Sequence, residues 1–85
     1  VHPREFDENR LVLARGERLY AETLRQTREA VGERLDWFQR ILSTQQEHKI
    51  RRAREYMTAF FDRVEESDEA FEPFSPDFDA YDEEE

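Results

Sequence analysis

The side chains that could carry chemistry in this chain are its carboxylates and its two histidines. The chain has no cysteine, so neither a disulfide nor a thiolate metal site can form. His2 and His48 are isolated from each other, and two such histidines do not complete a zinc site. Asp and Glu are abundant, but none lies in the apolar setting that tunes an acid–base pair. The sequence therefore predicts no catalytic residue, no metal site, no cofactor and no enzyme activity in this segment.

A basic cluster is the second chemical feature, and it first suggests a nucleic-acid partner. The cluster comprises Lys49, Arg51, Arg52 and Arg54. Clusters of this kind more often form the solvated face of a helix. Residues 65–85 hold eleven Asp and Glu and no Lys or Arg, whereas residues 1–64 hold all thirteen bases against eleven acids. Because this acidic tail repels phosphate, we expect no nucleic-acid binding.

Two apolar faces between Val31 and Val64 form the element that positions the rest of the chain. Both faces step by three and four residues, which is the period of one side of a helix. A turn at Ser43–Thr44 separates them, and the residues from Thr44 to Glu47 are typical of a capping box that starts the second helix. The pattern predicts an antiparallel helical hairpin. Its predicted core residues are Val31, Leu35, Phe38, Leu42, Ile50, Met57, Phe60 and Val64.

The helical pattern extends upstream of the hairpin and predicts one long helix over residues 8–42, followed by a second over 45–66. We expect any bend in the long helix at Gly32. The second helix covers only half of the first, so the apolar residues of the other half, Val12 included, are predicted to lack a partner in the chain. Such patches usually mark interfaces, although a frayed or truncated N-terminal half is the alternative. The predicted interface residues are Leu11, Leu13, Tyr20 and Leu24.

The acidic tail carries four aromatic side chains at helical spacing, namely Phe71, Phe74, Phe78 and Tyr81. One interpretation is that they dock back onto the hairpin, with the tail carboxylates near Arg51, Arg52 and Arg54. The other is a self-repelling tail whose aromatic residues bind a partner. Four aromatic residues exceed the needs of a solubility tail, so we expect the first part to dock and the final acidic residues to be disordered.

These features together predict an all-α protein, a helical hairpin or bundle, with three segments. The segments are an extended lead-in over residues 1–6, a helical hairpin domain over 7–66 and the acidic aromatic tail over 67–85. No apolar run approaches the roughly 20 residues that a membrane span needs, and there is no signal-peptide pattern. We expect a cytoplasmic protein without a membrane partner.

Two stretches resemble the C-terminal helical lid of DnaK-type seventy-kilodalton heat-shock chaperones, especially the HscC-like bacterial branch. They are Arg10–Leu24 (RLVLARGERLYAETL) and Gly32–Glu66, in which ILSTQ is followed by charged residues and then an apolar helix. This break is similar to the junction between the last longer helices of such lids. The span between Leu24 and Leu35 is short for a typical lid, and the tail lacks the EEVD ending that recruits helper proteins in cytosolic eukaryotic members.

The resemblance implies a role in protein folding and the stress response. The region Leu11–Leu24 would lie toward a substrate-binding β-domain of the parent chain, and lid closure would slow the release of unfolded client peptides. ATP binding would belong to another part of the full-length protein. When isolated, the segment is expected to form a homodimer through Leu13, Tyr20 and Leu24. The alternative is a free-standing acidic helical regulator or adaptor that binds a basic partner through its C-terminal tail.

Overall fold

The computed structural model describes residues 6–67, which form three helices and no strand. Helix α1 covers Asp7–Glu22, α2 covers Arg25–Thr44 and α3 covers Glu47–Ser67. Helices α1 and α3 meet near the start of both and again near the end of both, so they are parallel to each other. Short connections place α2 antiparallel to both. The prediction of an all-α fold is confirmed, and the arrangement is an up-down-up three-helix bundle.

The α2–α3 hairpin supplies the centre of the hydrophobic core. All eight side chains named for the hairpin core are buried, and Trp37, Ile41, Ala53 and Phe61 are buried beside them. The ring of Trp37 packs edge-on against Tyr56, with 5.6 Å between their centroids. Because burying one large apolar side chain contributes about 1.5–3 kcal/mol, this hairpin is the main source of stability among the described residues.

The predicted single helix over residues 8–42 is wrong, because the chain folds back at Thr23–Leu24. Both residues are extended, and Arg25 opens α2 with φ 55°. A residue with a β-carbon in this left-handed region costs about 1–2 kcal/mol. Gly32, the predicted site of a bend, lies inside α2. Packing of α1 against the hairpin, rather than a local helix breaker, therefore decides where the long helix is interrupted.

The turn between α2 and α3 also differs from the predicted capping box. Thr44 is the last residue of α2, and α3 begins only at Glu47. The hydroxyl of Thr44 donates to the carbonyl oxygen of Ile41 at 2.7 Å and accepts from the backbone N–H of Gln46 at 3.2 Å. Gln45 takes φ 59°, the left-handed conformation that commonly ends a helix. Thr44 therefore closes α2 instead of opening α3.

An arginine is buried within the hairpin. The Nε of Arg34 donates to the hydroxyl of Tyr56 at 2.9 Å, and its Nη1 donates to the carbonyl oxygen of Ala30 at 3.2 Å. The guanidinium lies 4.2 Å from the centroid of the Phe60 ring, within range of a cation–π interaction. Arg34 thus joins α2 to α3 inside the core, although a charged residue at this position gives no core signal in the sequence.

Candidate interaction surface

Helix α1 has a buried face that its hydrophobicity does not reveal. The face steps by three and four residues and comprises Asn9, Val12, Gly16, Leu19 and the adjoining Thr23. Three of these five residues are polar or lack a side chain, so the face carries little apolar signal. The expectation that this half of the chain lacks an intrachain partner is therefore wrong, and Val12, predicted as exposed, lies in the core.

Gly16 sets how closely α1 approaches the hairpin. A β-carbon at this position would lie 2.9 Å from the Cζ atom of Phe61 and within 3.0 Å of the Leu35 side chain. Both neighbours are core residues, so a larger residue would separate α1 from α2 and α3. The absence of a side chain at Gly16 is a packing requirement here.

Ion pairs join the C-terminal halves of α1 and α3. The Nη2 atom of Arg15 lies 2.8 Å from an oxygen of Asp62 and 2.8 Å from an oxygen of Glu65. Arg18 reaches the second oxygen of Glu65 at 3.0 Å. Hydrogen bonds from Arg15 and then Arg18 hold the pKa of Glu65 below its usual value, and the bond to Glu65 raises the pKa of Arg15. We call these four residues the α1–α3 clasp.

A second polar contact joins the beginnings of the same two helices. Nη1 of Arg54 donates to the side-chain oxygen of Asn9 at 2.9 Å, and its Nη2 lies 3.4 Å from an oxygen of Glu8. Asn9 is only 2% exposed, so this bond satisfies a buried amide oxygen. One member of the predicted basic cluster therefore serves the packing of α1.

The predicted interface residues divide between covered and open positions. Leu11 and Leu24 are each 70% exposed, and Phe6 at the start of α1 is also exposed. Leu13 is only partly exposed and packs against the core. Tyr20 is 40% exposed, with the guanidinium carbon of Arg28 lying 4.5 Å from its ring centroid.

The open leucines lie at different places on the bundle. Leu11 borders a shallow groove between α1 and α3 that is lined by Val12, Thr58 and Ala59. Leu24 projects at the junction of α1 and α2, at the opposite end from the α2–α3 turn. The structure thus retains three exposed positions from the predicted interface, Leu11, Tyr20 and Leu24, but it does not join all four residues into one stripe.

Within residues 6–67, no group of three His, Asp or Glu side chains is placed to hold a metal ion. None of these helices is long and apolar enough to cross a lipid bilayer. The predicted tail-docking residues Phe71, Phe74, Phe78 and Tyr81 lie outside the described residues.

Comparisons of the chain with protein families, with curated proteins and with solved structures find no match. The arrangement of α1, α2 and α3 is therefore the basis for a functional proposal, together with the sequence resemblance.

Proposed function

We propose that this chain is the helical lid subdomain of a DnaK-type chaperone, in which it helps to retain unfolded peptide in the substrate-binding β-domain of the parent chain. The proposal includes a cytoplasmic location and an ATP-dependent cycle driven by another part of the full-length protein. Its starting point is the resemblance of Arg10–Leu24 and Gly32–Glu66 to such lids.

The observation that supports docking is the exposure of Leu11 and Leu24. Helix α1 buries its other face within the bundle through Val12, Gly16 and Leu19. The two leucines are therefore not used to hold the bundle together, yet each could bury a large apolar area against a second surface. A helical bundle with exposed leucines can dock on a second protein surface, and a lid must dock on the substrate-binding β-domain.

The test is the rate of peptide release from the complete protein encoded by the reading frame that contains this chain. A fluorescent unfolded peptide is bound, and its release is followed by anisotropy after addition of unlabelled peptide. Replacing Leu11→Ser together with Leu24→Ser should accelerate release at least about tenfold, because two leucines then lose their buried contacts. Ala14→Ser, on an exposed position of α1, is the matched control and should leave the rate unchanged.

A reading frame without a substrate-binding domain, or equal release rates in all three proteins, would contradict the lid proposal. The first of these outcomes would favour the acidic regulator instead. That alternative draws on the eleven acids and the absence of bases in residues 65–85. It predicts binding of a basic peptide that is lost when these residues are removed.

A further inference from the structure

The junction between α1 and α2 is a bend that its own residues do not favour. Thr23 and Leu24 are extended, and Arg25 takes φ 55°. The left-handed region suits glycine, yet this junction contains neither glycine nor proline. No side chain caps the beginning of α2. The bend therefore persists because α1 packs on the hairpin.

The sequence on both sides of the bend favours a straight helix. Leu13, Tyr20, Leu24, Val31 and Leu35 follow steps of seven and four, as one continuous helical stripe would. Straightening the junction would join α1 and α2 into a helix about 57 Å long. The backbone groups left open at the bend would then pair, and Arg25 would leave the left-handed region.

From this conflict we infer that two copies of the chain form a dimer by exchanging α1. In the exchanged form, each α1 continues straight from its own α2 and packs on the hairpin of the second copy. Val12, Gly16 and Leu19 meet the same hairpin surface as in the monomer, and the α1–α3 clasp forms between chains.

The exchange retains the contacts of the monomer and relieves only the bend. A short connection under strain is the condition that favours such domain exchange. A second copy is the occupant that fits this surface best, because it presents an α1 identical to the one removed. The inference is independent of the chaperone proposal.

The first test changes the bend alone in the 85-residue chain. Arg25→Gly accommodates φ 55° in the monomer and weakens the straight helix in the dimer. After refolding at high concentration, the unaltered chain should sediment partly as a dimer, and Arg25→Gly should raise the dissociation constant at least about tenfold. Gln26→Gly weakens the same helix without relieving the bend, so its effect should be clearly smaller. An unaltered chain that remains monomeric, or equal effects of the two glycines, would overturn the inference.

The second test separates exchange from side-by-side association. One chain carries Arg15→Glu with Arg18→Glu, and the other carries Asp62→Lys with Glu65→Lys. Each chain alone has a repulsive clasp, whereas an exchanged heterodimer has one native and one reversed clasp, both attractive. Co-refolding should give a one-to-one heterodimer by native mass spectrometry, with a higher thermal midpoint than either chain alone. A side-by-side dimer keeps each clasp within its own chain, so a mixture without heterodimer or added stability would exclude exchange.

Discussion

Gly16 and Gly32 lie on successive helices of the bundle but in opposite surroundings. A β-carbon at Gly16 would meet Leu35 and Phe61 inside the core. One at Gly32 would lie 3.1 Å from Cε1 of Tyr20, a side chain with room to move because it is 40% exposed. The same substitution at the two positions therefore separates core crowding from helix propensity.

We predict opposite signs for Gly16→Ala and Gly32→Ala. Crowding at Gly16 should lower the free energy of unfolding by about 1–3 kcal/mol, which outweighs the gain in helix propensity. Gly32→Ala should raise it by up to about 1 kcal/mol, because Tyr20 can shift and the alanine favours the helix. Chemical denaturation of the two variants beside the unaltered chain measures both effects, and a shift in the same direction for both would contradict this account.

The buried face of α1 could not be predicted from the spacing of its apolar residues. The spacing predicts an apolar stripe through Leu13 and Tyr20. The residues of α1 that the structure buries are instead Asn9, Val12, Gly16 and Leu19. The buried amide oxygen of Asn9 accepts a hydrogen bond from Arg54, and Gly16 contributes space instead of area. Both contributions depend on neighbours in other helices, so local periodicity could not reveal them.

At the level of whole helices, the hairpin was predictable and the position of α1 was not. The apolar residues of α2 and α3 are large and regularly spaced, so their faces and antiparallel packing follow from the sequence. The bend at Thr23–Leu24 has no glycine or proline to mark it, and no side chain caps the beginning of α2. It follows from tertiary packing, as does the clasp that joins two helices distant in sequence. The exposed positions of Leu11 and Leu24 were predictable, but their separation on the bundle depended on the bend.

The packing of α1 on α3 should depend on pH through Glu65. Its pKa is lowered from an ordinary value of 4.5, chiefly by the hydrogen bond from Arg15. A lowered folded-state pKa stabilises the fold above the ordinary carboxyl pKa, and this contribution is lost as the pH falls through the lowered value. Glu65→Gln should therefore reduce the denaturation midpoint at pH 7.

The same comparison at low pH provides the internal control. Once Glu65 is protonated in the unaltered chain, the difference between it and Glu65→Gln should disappear. Glu17→Gln, on an exposed position of α1, should change the midpoint little at either pH. A difference between Glu65→Gln and the unaltered chain that persists unchanged in acid would show that the ion pairs are not its cause.

At the scale of the whole molecule, the two interpretations of the aromatic tail predict different stabilities. The docking interpretation predicts that replacing Phe71, Phe74, Phe78 and Tyr81 by serine lowers the free energy of unfolding by at least about 1.5–3 kcal/mol, the value for one buried ring. The control replaces Ala70 and Ala80 by serine and retains the aromatic rings. Denaturation curves of the three proteins measure the difference. Equal stability would favour the other interpretation, in which the rings bind a partner.

The parallel course of α1 and α3 has a mechanical consequence. Phe6 lies beside the α2–α3 turn, whereas α3 ends at the opposite end of the bundle, beside the end of α1. Tension applied between residues 6 and 67 would therefore slide α1 along α3 in shear. The contacts between α1 and α3 would then bear the load at the same time, whereas a force that peels the helices apart would break them one after another. The bundle is therefore suited to transmitting a pull along its length.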